Sequence, residues 1–208
     1  MNHNLENRLP LVAILRGLEP ERALDVAWAL LEAGFDILEV PMNSPDPVGS
    51  IEKIAAALGD KALVGAGTVL NTSQVDELAD RGAQLVVSPN CNPAVISRTA
   101  ERGMVSFPGV LTPSEMFAAI EAGATGLKIF PAELFSAAGV KAVKAVLPPH
   151  IPVYVVGGIN AGNMREFLGA GAAGFGMGSA VFKPGKPLED IARDAREIVT
   201  AFKTASGI

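Results

Sequence analysis

Short apolar runs alternate with longer stretches of helical spacing from one end of the chain to the other. The runs at Leu11–Leu15, Ile37–Val40, Ala62–Ala66, Leu85–Val87, Val105–Phe107, Thr125–Pro131, Val153–Val156 and Gly174–Met177 are too short for helices and read as strands. Each is followed by a stretch whose apolar positions recur three and four residues apart. These predict helices over Glu21–Ala33, Val48–Leu58, Ser73–Arg81, Pro93–Arg102, Pro113–Ala122, Ala138–Val146, Ala161–Leu168 and Leu188–Phe202. Glycines at 34, 82, 103 and 123 mark helix ends, and Thr72 reads as the N-cap of the third helix.

Eight strand-then-helix units in 208 residues give about 26 residues per unit, the scale of a minimal βαβ element. Strands joined through helices must run parallel. Eight such units favour a closed (β/α)8 TIM barrel, an α/β fold, over an open doubly wound sheet. No linker interrupts the pattern, so residues 1–208 read as a single domain, with the polar residues 1–8 as a flexible N-terminal tail. No GxGxxG turn opens the first helix, which weakens a dinucleotide-binding reading.

Composition narrows the function. The chain is 49% hydrophobic and 19% charged, enough apolar surface for a large core. A net charge of −5 offers no basic footprint, so nucleic acid is not an expected partner. His3 and His150 are the only imidazoles and Cys91 the only thiol, which supports neither a metal site nor a disulfide. Met1–Arg8 has no apolar core of a signal peptide, and no apolar stretch is long enough to span a bilayer. A cytoplasmic enzyme with no membrane contact is the expectation.

In a barrel of this kind chemistry gathers where strands run into βα loops. Lys128 lies in the sixth strand, where alternation groups it with Gly126 and Phe130 and sets Leu127 and Ile129 on the opposite face. An ammonium there is costly unless it is paired or held neutral, and a neutral lysine forms Schiff bases with carbonyls. Glu39 shares the face of Ile37 on the second strand. If that face is the interior, Glu39 and Lys128 enter one cavity, either as proton shuttle and nucleophile or as a structural ion pair. The barrel-end position favours chemistry.

Gly157-Gly158 and Gly178-Ser179 follow the last two strands, where barrels often bind phosphate through backbone N–H groups. Ser179–Phe182 is expected to form a short helix there. Arg16 has the planar fork for a carboxylate or phosphate, with a rim salt bridge as the alternative. Thr68, Ser88 and Asn43 could hydrogen-bond substrate oxygens or cap loops. Cys91 and Trp28 read as packing, and Lys141 and Lys144 as solvated helix faces.

The segments "LEVPMNSP" around Glu39, "GAGTVL" at 65–70, "SPN" at 88–90, "LKIFPAE" at 127–133, "VGGI" at 156–159 and "GMGS" at 176–179, in this order, resemble the 2-keto-3-deoxy-6-phosphogluconate/6-phosphogalactonate aldolases. Asn43-Ser44-Pro45 and Val156 are more similar to the galactonate enzymes, since the gluconate enzymes usually carry an Arg-Thr pattern and a threonine there. The resemblance implies a class I aldolase that cleaves 2-dehydro-3-deoxy-6-phosphogalactonate to pyruvate and glyceraldehyde 3-phosphate. It also implies roles: Lys128 as Schiff-base lysine, Glu39 as proton mover, and Arg16 and Thr68 on the substrate carboxylate. Pro89 would close over the pyruvate half, Val156 would lie near C4, and Gly157, Gly158, Gly178 and Ser179 would hold the phosphate. Family members are typically trimers and need no cofactor. The alternatives are a gluconate or dual-specificity aldolase, a sugar-phosphate isomerase or epimerase barrel, and a non-catalytic sugar-phosphate-binding barrel.

Overall fold

The computed structural model describes residues 5–208. Nine short strands, β1 (Leu11–Ile14), β2 (Ile37–Pro41), β3 (Leu63–Gly67), β4 (Leu85–Val87), β5 (Val105–Phe107), β6 (Gly109–Val110), β7 (Leu127–Ile129), β8 (Val153–Val156) and β9 (Gly174–Met177), form one sheet. Every pair is parallel, in the order β5-β4-β3-β2-β1-β9-β8-β7-β6. The two ends of that order, β5 and β6, are separated in sequence by Pro108 alone. Proline has no N–H to give the ladder, so one barrel position is occupied by two strand pieces. Gly126 N–H to Ser106 O (3.2 Å) and Lys128 N–H to Pro108 O (2.9 Å) tie this split position to β7. The sheet closes around eight positions, and the expected sixth strand is β7.

Eight helices, α1 (Ala23–Ala33), α2 (Pro47–Leu58), α3 (Thr72–Asp80), α4 (Pro93–Glu101), α5 (Pro113–Glu121), α6 (Ala137–Lys144), α7 (Met164–Gly169) and α8 (Leu188–Ser206), alternate with the strands. Strand alternation divides the core in two. Leu11, Ala13, Leu38, Val40, Leu127, Ile129, Val153 and Val155 join the helices in the outer layer. Val12, Ile37, Leu63, Leu85, Val87, Val105, Phe107 and Tyr154 fill the barrel. Burial on both faces is why these strands read as continuous apolar runs.

Local departures from the expected elements have local causes. Asn71, not Thr72, caps α3: its backbone is extended and its Oδ1 accepts from Gln74 N–H at 2.9 Å. Ser179–Phe182 makes a single turn, closed by Val181 and Phe182 N–H on Gly178 O at 2.9 and 3.0 Å, and does not become a helix. α7 starts at Met164, three residues later than expected at Ala161, and α8 runs on to Ser206. Lys144 is not simply solvated, since its Nζ donates to Ile151 O at 3.2 Å.

Of the tail expected at 1–8, residues 1–4 lie outside the described residues, while Leu5–Asn7 form a 3-10 turn. Leu5 packs against the barrel's inner cluster. Arg8 donates to Asp36 Oδ2 (3.4 Å), Lys61 O (3.2 Å) and Asp60 O (3.1 Å), so this stretch is fastened to the barrel. Among the described residues no helix is long and apolar enough to cross a membrane.

Candidate active site

Glu39 on β2 and Lys128 on β7 both face the barrel interior, 2% and 7% exposed. With Val12, Ile14, Val87, Phe107, Tyr154, Val156 and Gly176 they line one cavity. The walls are almost entirely apolar, which sets the electrostatics. Burial lowers the Lys128 pKa from the usual lysine range, and the Arg16 guanidinium adds to that, against the opposing pull of Glu39. Burial likewise lifts the Glu39 carboxyl above the usual carboxylate range, against Lys128 and Arg16. Burial thus works against the charged form of each group, while the charge of each favours the charged form of the other.

The geometry argues against a purely structural pair. Among the described residues no ion pair joins Lys128 to Glu39, whose Oε2 is buried without a hydrogen-bond partner. Lys128 Nζ instead lies over the Phe130 ring, 4.7 Å from its centroid. A buried polar atom with no partner costs stability and is expected where a ligand completes the shell.

Gly67 makes room for Glu39. A Cβ at that position would sit 2.5 Å from Glu39 Oε2 and 2.7 Å from its Cδ. Gly67→Ala must therefore displace the carboxylate. With Glu39 as a proton mover, misplacing it by about 1 Å costs on the order of 10²-fold, so kcat of this variant should fall by about that factor. Steady-state kinetics alongside thermal melting checks it, and wild-type turnover would refute this use of the glycine.

At the mouth, Arg16 Nη1 donates to Asn43 Oδ1 (3.0 Å), and Gly17 N–H donates to Ser44 Oγ (2.9 Å). The Asn-Ser segment after β2 thus clamps the Arg-Gly loop after β1, and the Arg16 charge is near enough to act on both Glu39 and Lys128. Asn43 is a holder of Arg16 here, and the rim salt bridge considered for Arg16 is absent among the described residues.

Thr68, just past β3, has φ +58°. A β-branched residue in the left-handed region is strained, and such strain clusters at functional sites. The neighbouring loop is pinned by Ser88, whose hydroxyl donates to Val69 O at 2.8 Å, so Ser88 serves the scaffold. Pro89 is half-buried, with its carbonyl so close to Gly109 that a Cβ there would lie 2.4 Å from the Pro89 carbonyl oxygen. Cys91 donates to Glu115 O at 3.4 Å, and burial with the Glu115 charge pushes its thiol up, consistent with packing.

Val156 is buried at the end of β8, against Gly176 of β9, where a Cβ would meet Val156 Cγ2 at 2.7 Å. Gly157 and Gly158 follow with φ +114° and +64°, a left-handed path that suits glycine. Gly157 is also packed against the Glu133 carboxylate, leaving no space for a side chain. Among the described residues the N–H groups of Gly157, Gly158, Gly178 and Ser179 have no acceptor.

The structure thus brings Glu39, Lys128 and Val156 into one cavity. It sets Arg16, Thr68 and Pro89 on loops that follow strands β1, β3 and β4, and the four loop residues after β8 and β9. Tyr154 and Phe107 belong to the same cavity and were not singled out from sequence; their rings stack with centroids 4.6 Å apart. Burial and the charge of Asp36 push the Tyr154 hydroxyl up to about 12, so it stays protonated. Alternation along Val153–Val156 was the available signal, since it places Tyr154 on the face of Val156.

Residues 3–195 match the family described as KDPG and KHG aldolase. The chain is 48% identical to the 2-dehydro-3-deoxy-6-phosphogalactonate aldolase of Escherichia coli (strain K12), over 96% of this chain and 98% of that protein. A solved structure described as native KDPGal superposes with a TM-score of 0.95 at 47% identity, covering 97% of this chain and 98% of the other. A cube-shaped protein cage designed by fusing symmetric oligomeric domains matches equally well, with a TM-score of 0.95 and 47% identity, over 97% of this chain and 74% of the cage chain. A lysine and a glutamate whose charged forms burial disfavours in one apolar cavity are the apparatus of imine chemistry, and with these likenesses the chain belongs to the KDPG and KHG aldolase family of carbon–carbon lyases.

Proposed function

We propose that the protein is a class I aldolase that reversibly cleaves 2-dehydro-3-deoxy-6-phosphogalactonate to pyruvate and D-glyceraldehyde 3-phosphate. The observation that carries this reading is Lys128, buried in an apolar cavity with its ammonium destabilised and Glu39 beside it. The neutral amine adds to the C2 ketone, giving a carbinolamine. Glu39 donates a proton to the departing hydroxyl, water leaves, and an iminium forms. A base then takes the C4 hydroxyl proton, the C3–C4 bond breaks, and its electron pair flows into the iminium to give an enamine. Departure of the aldehyde, protonation at C3 and hydrolysis return pyruvate and the free lysine. Glu39, working through water, is assigned the proton transfers of carbinolamine dehydration and of C3–C4 cleavage.

Arg16 and Thr68 are assigned the substrate carboxylate, with Pro89 over the pyruvate half. Gly157, Gly158, Gly178 and Ser179 are assigned the phosphate, supported by four N–H groups without acceptors at the ends of β8 and β9. The likeness to a chain made by fusing symmetric oligomeric domains supports an oligomer, and the family resemblance makes it a homotrimer, which light scattering would measure. The phosphorylated substrate and the single unpaired thiol of Cys91 support action in the cytoplasm.

Val156 favours the galactonate epimer over the gluconate one. The two substrates differ at C4, and a valine offers no hydrogen bond to a hydroxyl that a threonine would hold. One such bond is worth about 0.5–1.5 kcal/mol. Val156→Thr should therefore raise the gluconate-to-galactonate ratio of kcat/KM by roughly 2- to 12-fold. Rates on the two 6-phosphates measured side by side test both the assignment and the variant. Equal ratios in wild type and variant would remove Val156 from the discrimination. A phosphate-binding isomerase or epimerase barrel would turn over neither epimer to pyruvate.

A further inference from the structure

Asn163 occupies the N-cap position of α7, yet its side chain makes no hydrogen bond to the helix. It turns back to the preceding loop instead. Its Nδ2 donates to Gly158 O at 3.0 Å, and its Oδ1 accepts from Asn160 N–H at 2.9 Å. Asn160 reinforces the same point: its Nδ2 also donates to Gly158 O, at 3.3 Å, and its Oδ1 accepts from Gly162 N–H at 2.9 Å. One carbonyl therefore has both lone pairs occupied by carboxamide donors on the loop that follows it.

The carbonyl chosen belongs to the second of two consecutive glycines with positive φ. Such a pair is the least conformationally restricted stretch a chain can make, and rotating either peptide would swing its N–H elsewhere. Fixing Gly158 O fixes the peptide plane that follows Gly158 and holds the turn around its own N–H and that of Gly157. Neither N–H has an acceptor among the described residues. The arrangement is a preorganised pair of donors whose orientation is set from behind. An N-cap side chain would ordinarily be spent on the helix, and this one is spent on the turn.

We infer that Asn163 is a positioning residue for the phosphate end of the substrate, acting through the Gly157-Gly158 turn, with Asn160 as a weaker second clamp. The inference rests on the assignment of that turn to phosphate. Asn163 touches no reacting atom and lies outside the cavity that holds Lys128, so its removal should weaken recognition of the phosphorylated half and leave imine chemistry alone.

The experiment is aldol condensation of pyruvate with D-glyceraldehyde 3-phosphate or with unphosphorylated D-glyceraldehyde, in wild type, Asn163→Ala and Asn163→Asp. Asn163→Ala is expected to raise KM for the phosphorylated aldehyde about tenfold, with kcat nearly kept, as loss of preorganisation predicts. The unphosphorylated aldehyde should react at an unchanged rate, as should pyruvate in borohydride trapping. Asn163→Asp keeps the acceptor for Asn160 N–H but loses the donor to Gly158 O, so it should share the defect and serves if the alanine variant does not fold. Equal losses with both aldehydes, or no change in their ratio, would overturn the positioning role while sparing the phosphate assignment. A wild type that shows no preference for the phosphorylated aldehyde would sink that assignment, and this inference with it.

Discussion

Lys128→Met should abolish turnover, lowering kcat/KM by at least about 10⁴-fold, while the protein melts at an unchanged or higher temperature. Methionine keeps the length and most of the volume of the lysine stem but has no electrophile-trapping amine. Wild type incubated with pyruvate and borohydride should gain one reduced adduct at this lysine, and the variant none. The stability half of the expectation follows from the depressed ammonium. A lysine whose folded-state pKa lies below its unfolded value stabilises the fold above the unfolded pKa. That contribution is lost as pH falls through the folded pKa, because the unfolded chain then binds the extra proton. At neutral pH the buried lysine is a burden on the fold, held against apolar Val87, Phe107 and Val156. Methionine removes the burden, and Glu39, no longer held down by the ammonium, becomes more fully protonated and neutral. Intact mass after reduction and thermal melting read the two halves separately. Pyruvate trapping in the variant, or a large loss of melting temperature, would contradict the assignment.

Much of this site could be read from alternation alone. Ile37 and Glu39 were placed on one face, as were Gly126, Lys128 and Phe130, and a period of two leaves no freedom once the interior face is known. That interior holds Glu39 and Lys128 together. Glycine and polar residues just past the C-terminal ends of the strands pointed to the catalytic mouth, because barrel chemistry gathers in the loops that lead from strand to helix. What escaped depends on contacts between distant segments. Pro108 splits a strand whose second piece, Gly109–Val110, is too short to carry a periodic signal. Thr68 gives no hint of φ +58°, since a β-branched residue disfavours that region and tertiary packing imposes it. Asn163 fell inside the helix expected over Ala161–Leu168, which the structure starts only at Met164. Only the position of Gly158 O shows what its side chain serves. Asn71 and Thr72 are both competent caps by type, and the extended backbone at Asn71 decides between them.

Glu39→Gln tests whether the carboxyl moves protons or only accompanies the lysine. The amide has the same shape and fits the space that Gly67 leaves open, so packing is preserved. It cannot give up and regain a proton, and general acid–base catalysis is typically worth 10²–10⁴-fold, so kcat should fall by about 10³. The pH dependence supplies a second, independent reading. The charge of ionised Glu39 pulls the Lys128 pKa upward, against burial and Arg16, which push it down. Glutamine removes the upward pull, so the amine becomes free at lower pH. The rise of pyruvate trapping with pH should accordingly begin earlier in Glu39→Gln than in wild type, even as turnover collapses. A structural partner would behave differently: its loss would lower the melting temperature, and turnover would fall only as far as the fold is lost. Trapping whose pH onset moves lower while its rate falls with dehydration, together with cleavage about a thousandfold slower and an unchanged melting temperature, separates ionisation of the lysine from the proton transfers after it. Turnover like that of wild type, or a trapping profile displaced to higher pH, would rule that role out.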